Sequence, residues 1–150
     1  MPDIYAIGDC AAHVNAFANG ARIRLESVQN ANDQADTVVR SLCGRPTPYC
    51  SVPSFWSDQY DLKLQSIGVS AGHEVALVRG EPQTRSFSVI YATSGRVIAL
   101  DCVNATRDFV RGRKLVLDRT RVNPQVLTAG TPLQDLSELL PPLPLAVASA

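Results

Sequence analysis

Three closely spaced prolines divide this chain into two parts with different hydrophobic patterns. The segment "GRPTPYCSVPS" carries Pro46, Pro48 and Pro53. Proline cannot donate a backbone hydrogen bond and fixes φ, so this stretch can neither continue a helix nor enter a central strand. We therefore expect residues 45–55 to form an extended connector between two units.

Before the connector, a short apolar strand is followed by a helix. Residues Ile4–Ile7 are apolar on both faces, which is typical of a strand buried in a parallel sheet. In "ESVQNANDQADTVVRSLCG", apolar side chains recur at every third or fourth residue and predict an amphipathic helix from about Val28 to Cys43. Ser27 is a suitable N-cap, and Gly44 is suited to the position after the helix.

After the connector, the hydrophobic pattern changes to period two. Tyr60, Leu62 and Leu64 alternate with polar residues, as in a half-buried strand. Three further segments rich in β-branched and aromatic residues predict strands at Glu74–Gly80, Ser86–Ala92 and Gly95–Val103. Thr93–Gly95 predicts a hairpin turn, so the strands form an antiparallel meander, and a helix is expected to begin near Asp108.

These patterns predict an α+β fold in which an antiparallel β-sheet with flanking helices is preceded by a strand and a helix. A short closing helix is expected after Thr131, which is a suitable N-cap followed by proline. The expected divisions are residues 1–44, the connector at 45–55, a second domain at 56–140 and a flexible tail at 141–150.

Composition excludes several classes of function. The 150 residues have a formal net charge of zero, which argues against binding to nucleic acid or anionic membranes. No segment is apolar enough to cross a membrane and no signal peptide is evident, so a cytoplasmic location is expected. The four cysteines form no Cys-x-x-Cys pair and lie at no zinc-like spacing from a histidine, and we predict neither a metal site nor a catalytic residue.

Four motifs occur in a characteristic order: "DIYAIGDCA", "RLESVQNANDQA", "FWSDQYDLKLQ" and "VNATRDFVRGRKL". In this order they resemble the C-terminal part of flavin-dependent ferredoxin reductases of the putidaredoxin-reductase and rhodocoxin-reductase type, which belong to the glutathione-reductase-like flavoproteins. The resemblance implies that residues 56–140 form a reductase C-terminal domain. It also implies that residues 1–44 are the last strand and helix of an FAD-binding domain.

The resemblance implies a set of residues that face FAD. Asp9 corresponds to the aspartate that ends the last strand of the FAD-binding domain and hydrogen-bonds the ribityl chain of the flavin. Gly8 would allow the backbone to approach the cofactor. Ser27, Val28 and Gln29 would direct backbone N–H groups and the helix dipole at the pyrimidine edge of the flavin ring. The alternative is that Gly8–Asp9 is an ordinary turn and the helix is ordinarily capped.

The resemblance also implies a docking surface for an iron–sulfur ferredoxin. Trp56 corresponds to an aromatic residue close to the flavin and to the docking surface, and a buried core tryptophan is the alternative. Ser54 stands where the putidaredoxin-reductase pattern has a second tryptophan. A basic stretch that includes Arg111 and Lys114 could attract an acidic ferredoxin, or it could be only a solvated helix face. The stretch comprises Arg107, Arg111, Arg113, Lys114, Arg119 and Arg121.

No Gly-x-Gly-x-x-Gly fingerprint for FAD or a nicotinamide occurs in the sequence. Together with this absence, the resemblance implies that the chain is part of an enzyme that passes electrons from NAD(P)H through FAD to a ferredoxin. Alone, it is expected to lack an NAD(P)H site, to bind neither FAD nor a nicotinamide tightly and to be inactive. The alternative is a non-enzymatic dimerisation or protein-docking module. An unpaired strand at Ile4–Ile7 and the apolar stripe of the first helix predict a homodimer.

Overall fold

The computed structural model of this protein describes residues 4–122 and Leu133. Within these residues the chain forms two compact units, which meet in sequence between Phe55 and Trp56. The predicted helix after Thr131 and the predicted tail at 141–150 lie outside the described residues.

The first unit combines a small antiparallel sheet with one long helix. Strands β1 (Ala12–Val14) and β2 (Arg22–Arg24) pair with His13 opposite Ile23, and helix α1 spans Val28–Leu42. Single 3₁₀ turns occur at Gly8–Cys10 and Ala16–Ala18.

The strand predicted at Ile4–Ile7 does not form, and this prediction was wrong. Ile7 has extended backbone angles, but no other described segment pairs with these four residues, and all four are exposed. A strand requires a hydrogen-bonded neighbour, and the apolar pattern alone does not supply one.

Helix α1 begins and ends where the sequence predicts. The Ser27 Oγ accepts a hydrogen bond from the backbone N–H of Asn30 at 3.2 Å, and Gly44 follows the helix with φ of +73°. The helix buries polar side chains, Asn30 and Gln34, whereas the apolar Val28 and Leu42 are exposed. The face of α1 packed within the first unit is therefore the polar one.

The second unit is built on a five-stranded sheet. The strands are β3 (Ser54–Gln59), β4 (Leu62–Gly68), β5 (Val75–Glu81), β6 (Ser86–Thr93) and β7 (Arg96–Val103). Their order in the sheet is β3-β4-β7-β6-β5, and the β4–β7, β7–β6 and β6–β5 pairs are antiparallel. The α+β class, the strands β5 to β7 and the turn between β6 and β7 are as predicted.

The first hairpin of this sheet differs from the prediction. Strand β3 was not predicted, and Tyr60, expected inside a strand, lies in the turn between β3 and β4 with φ of +55° and 98% of its surface exposed. Asn104 holds this hairpin, because its Oδ1 accepts from Lys63 N–H at 2.9 Å and its Nδ2 donates to the Asp61 carbonyl at 3.0 Å. The turn at Tyr60 is therefore fixed by Asn104, more than forty residues away, and the alternating pattern of the neighbouring residues gives no sign of it.

Helix α2 (Thr106–Leu117) covers one face of the sheet and packs on β7 and β4. It begins two residues before the predicted start at Asp108. A Cβ at Gly112 would lie 2.5 Å from a methyl carbon of Leu100, so glycine permits the close approach of α2 to β7. The largest core side chains of this unit are Ile67, Ile90, Val97, Leu100, Leu115, Val116 and Leu133.

Candidate functional site

The Gly8–Asp9 turn is attached to α1 through the backbone of Gly8. Gly8 is buried, and its N–H donates to the Gln34 Oε1 at 2.7 Å. Its φ of +76° is unfavourable for residues with a side chain, and a Cβ placed there would lie 3.6 Å from the Cβ of Ala31. The turn therefore lies directly against the first turns of α1.

Asp9 is exposed, and its backbone and side chain have different surroundings. The Asp9 carbonyl accepts a hydrogen bond from Nη1 of Arg24 at 3.0 Å, and Arg24 also forms an ion pair with Glu26 at 2.6 Å. Among the residues that the structure describes, no hydrogen-bond donor or cation pairs with the Asp9 carboxylate. The carboxylate is thus available to a ligand while its backbone is held.

The N-cap of α1, Ser27, directly follows Glu26. Helix geometry leaves the N–H groups of Val28 and Gln29 without an intrahelical acceptor, while Ser27 caps Asn30. The Gln29 side chain binds elsewhere, because its Oε1 accepts from Ser54 N–H at 3.2 Å and its Nε2 donates to Asp33. Five predicted site residues, Gly8, Asp9, Ser27, Val28 and Gln29, therefore belong to this unit.

Trp56 belongs to the second unit and lies on β3. Its side chain is 47% exposed, so the alternative of a buried core tryptophan is wrong. Phe55 beside it in sequence is exposed as well.

The basic residues of α2 divide between two faces. At about 100° per residue, Arg107, Arg111 and Lys114 share one exposed face, and Val110, also exposed, lies at its edge. Arg113 points away from this group. Lys114 forms an ion pair with Asp118 one turn later.

A partly buried polar network around α1 was not found from the sequence. Gln34 Nε2 lies 3.2 Å from Nδ1 of His13, and the other ring nitrogen of His13 lies 3.3 Å from Nδ2 of Asn15. Tyr49 packs edge-on against His13 and donates to the Asn30 Oδ1 at 2.9 Å. Burial lowers the pKa of His13 below its usual value. The only sequence signal was the pair of amides, Asn30 and Gln34, one turn apart on the helix.

Within the described residues, the His, Cys, Asp and Glu side chains form no group of three that could hold a metal ion. None of the described helices is both long and apolar enough to cross a membrane.

Comparison with known proteins identifies the family to which this chain belongs. The family described as "Reductase C-terminal" matches residues 54–140. The chain belongs to this reductase C-terminal family.

The relatives that this chain resembles in sequence are ferredoxin reductases. The chain is 59% identical over 138 residues to the 5,5'-dehydrodivanillate O-demethylase ferredoxin reductase subunit of Sphingobium sp., covering 91% of this chain and 34% of that protein. It is 42% identical to rhodocoxin reductase of Rhodococcus erythropolis, covering 82% of this chain and 29% of that protein. The chain thus spans about a third of the length of these relatives.

Solved structures agree with this fold. The covalent putidaredoxin reductase–putidaredoxin complex matches with a TM-score of 0.81 and 37% identity, covering 90% of this chain and 32% of that chain. The ferredoxin reductase for the CYP199A2 system of Rhodopseudomonas palustris matches with a TM-score of 0.77 and 41% identity, covering 87% and 32%.

Proposed function

We propose that this chain supplies the C-terminal part of an FAD-dependent NAD(P)H:ferredoxin reductase. The observation that carries the proposal is the 59% identity, over 91% of the chain, to a ferredoxin reductase subunit. In the complete enzyme, FAD would take a hydride from NAD(P)H and release single electrons to the iron–sulfur partner. Residues of the first unit would contact the flavin, and residues of the second unit would contact the ferredoxin.

The first unit offers residues that fit a flavin. The left-handed backbone of Gly8 lets the chain approach a ligand without a Cβ, and the exposed Asp9 carboxylate can accept hydrogen bonds from the hydroxyl groups of a ribityl chain. The free N–H groups of Val28 and Gln29, after the Ser27 cap, carry about half a positive charge with the helix dipole. Such a field favours an electron-rich ring edge.

Titration with FAD tests the flavin side. In a ¹⁵N-labelled sample of the chain, FAD should shift the amide resonances of Gly8, Asp9, Val28 and Gln29, and Asp9→Ala should weaken these shifts. The matched control is Asp36→Ala, which removes an exposed carboxylate on α1. Shifts confined to other residues, or equal shifts in Asp9→Ala, would contradict the assignment.

The flavin should not remain bound to the isolated chain. The sequence has no Gly-x-Gly-x-x-Gly turn to hold the pyrophosphate of a dinucleotide, so only weak binding is expected. After gel filtration the protein should show no absorbance between 350 and 500 nm. A stoichiometric yellow protein would refute this part of the proposal.

The second unit offers a surface for an acidic ferredoxin. Trp56 exposes a large aromatic side chain, which is a common anchor in protein interfaces, and Arg111 and Lys114 share an exposed basic face of α2. Putidaredoxin reductase has been solved in covalent complex with putidaredoxin, which supports a ferredoxin as the partner of this chain as well.

Binding of a purified acidic [2Fe–2S] ferredoxin tests the docking side. Trp56→Ala should weaken binding about tenfold or more, because it removes an anchor side chain. Arg111→Glu and Lys114→Glu should slow association and reduce its dependence on salt. Arg45→Glu reverses an exposed arginine of the first unit and is the control. Equal affinity of Trp56→Ala and the unmodified chain would contradict the docking assignment.

A non-enzymatic dimerisation or docking module is the second candidate, and one observation favours it. The first unit exposes the apolar side chains of Ile4, Tyr5 and Ile7 together with Val39 and Leu42 of α1. Exposed apolar surface is a common site of association between proteins. Pairing between two copies would cover these side chains and give a homodimer, alone or as part of the reductase.

A further inference from the structure

Gln34 is the side chain that connects the candidate flavin-facing turn to α1. It is only 6% exposed, and its Oε1 accepts the Gly8 N–H at 2.7 Å. Because Gly8 is buried, its N–H needs an acceptor, and leaving it unpaired would be costly.

Two side chains from different elements hold the backbone on either side of the Asp9 side chain. Gln34 of α1 accepts a hydrogen bond from the N–H of Gly8, and Arg24 of β2 donates one to the Asp9 carbonyl at 3.0 Å. The Asp9 carboxylate itself has no partner among the described residues. A group whose backbone is fixed while its side-chain acceptors stay open is preorganised for a ligand.

The orientation of the Gln34 amide is determined by its two neighbours. Since Oε1 accepts from Gly8, the NH₂ group must face Nδ1 of His13, at 3.2 Å. The other ring nitrogen of His13, Nε2, faces a second amide nitrogen, Nδ2 of Asn15, at 3.3 Å, so the neutral ring can accept a hydrogen bond from only one of the two amides. A flip of the amide would place two donors, Gly8 N–H and the Gln34 NH₂, against each other.

We propose that Gln34 is a positioning residue: through its hydrogen bond to Gly8 it holds the Gly8–Asp9 turn against α1 and so sets the position of the Asp9 carboxylate. This role deepens the proposed function, because it rests on Asp9 facing the flavin. The hydrogen bond and its effect on the turn can nevertheless be measured without any flavin.

Amide exchange at Gly8 tests the positioning directly. Gln34→Leu removes the acceptor, and the Gly8 amide should exchange on the order of tenfold to a hundredfold faster, while amides in the middle of α1 stay protected. The control, Asn32→Leu, replaces an exposed amide of the same helix and should leave Gly8 exchange unchanged. Unchanged Gly8 exchange in Gln34→Leu, or equal acceleration along the whole helix, would overturn the proposal.

The conservative variant Gln34→Glu gives a second test that does not depend on how well Gln34→Leu folds. One carboxylate oxygen keeps the Gly8 hydrogen bond, and the other requires a proton on Nδ1 of His13. Slow Gly8 exchange should be retained, and the ring ¹⁵N shifts at pH 8 should show a proton on Nδ1 of His13. Loss of Gly8 protection in Gln34→Glu, or an Nδ1 of His13 without a proton, would overturn the proposal.

Addition of FAD separates this proposal from the proposed function. The FAD-induced shift of Asp9 should be lost in Gln34→Leu and retained in Gln34→Glu. If Gly8 exchange responds as expected but FAD does not shift Asp9 in the unmodified chain, the flavin assignment fails and the hydrogen-bond role stands. If FAD shifts Asp9 equally in all three proteins, the positioning role fails and the flavin assignment stands.

Discussion

Cys102 differs from the other cysteines in its surroundings. It lies fully buried on β7, and burial, together with the negative charges of Asp108 and Asp101, raises the pKa of its thiol to about 12. Cys10, Cys43 and Cys50 are exposed free thiols. Because the thiolate is the reactive form, Cys102 should resist thiol reagents at neutral pH.

Alkylation followed by mass spectrometry measures this difference. With iodoacetamide at pH 8, the folded chain should accept three labels rapidly and the fourth only in denaturant. Rapid labelling of Cys102 in the folded chain would show that the core around β7 opens readily.

His13 gives the first unit a dependence on pH. Its ring nitrogens face the amide groups of Gln34 and Asn15, and its edge meets Tyr49, so no carboxylate compensates an added proton. Burial lowers the pKa of folded His13, so below about 6.5 the unfolded chain binds more protons than the folded one. The free energy of unfolding should therefore fall as the pH drops below 6.5.

Urea unfolding followed by far-UV circular dichroism between pH 5 and 8 checks this dependence. His13→Gln should flatten the decline, and His73→Gln, at an exposed position of the second unit, should not. An unchanged pH profile in His13→Gln would contradict the assignment.

At the level of elements, the accuracy of the sequence predictions depended on whether the signal was local. Helix α1 was predictable because Ser27 caps it and Gly44 follows it. Strands β6 and β7 were predictable because the turn between them is short, with Ser94 and Gly95 both at positive φ. Strand β3 was missed, since its burial pattern does not alternate and its hairpin depends on the distant Asn104.

In the candidate site, too, residues marked by a local signal were predictable and residues that depend on distant partners were not. Gly8 and Asp9 were predictable from a contiguous motif. The role of Gln34 was not, because its partners Gly8 and His13 are 26 and 21 residues away in sequence. The apolar periodicity of α1 also predicted the wrong inward face, because the helix packs its amides inward and leaves Val28 exposed.

Gly68 shows how close contact between strands restricts a residue at the end of β4. A Cβ at this position would lie 2.1 Å from the Ile98 carbonyl oxygen and 2.9 Å from the Cα of Ala99. Gly72 has a similar φ, +82° against +85°, but nothing lies within 4 Å of a Cβ there. Comparing substitutions at Gly68 and Gly72 therefore distinguishes the cost of backbone strain, which both share, from the cost of steric overlap, which only Gly68 has.

Gly68→Ala should destabilise the second unit by about 3 kcal/mol or more, and Gly72→Ala by about 1 kcal/mol, which is the cost of the left-handed backbone alone. Urea unfolding followed by the fluorescence of Trp56, the single tryptophan, measures both. Equal losses in the two variants would show that the strands separate to admit the methyl group.

At the scale of the whole molecule, the first unit is expected to mediate self-association. Ile4 and Leu42 are each more than two-thirds exposed, and the unpaired segment Ile4–Ile7 offers open backbone groups to a second copy. Light scattering should show a dimer for the intact chain and a monomer for a version that begins at Ser54. A monomeric intact chain at high micromolar concentration, or equal association of both versions, would contradict this expectation.

The central claim is that this chain serves as the C-terminal part of a ferredoxin reductase, and a chimera tests it most directly. In the Sphingobium reductase subunit that is 59% identical, this chain would replace the matching third. The chimera should retain FAD and reduce a [2Fe–2S] ferredoxin with NAD(P)H, and Asp9→Ala should weaken its hold on FAD about tenfold, as expected for one lost hydrogen bond from a charged group. A folded chimera that reduces no ferredoxin would contradict the account.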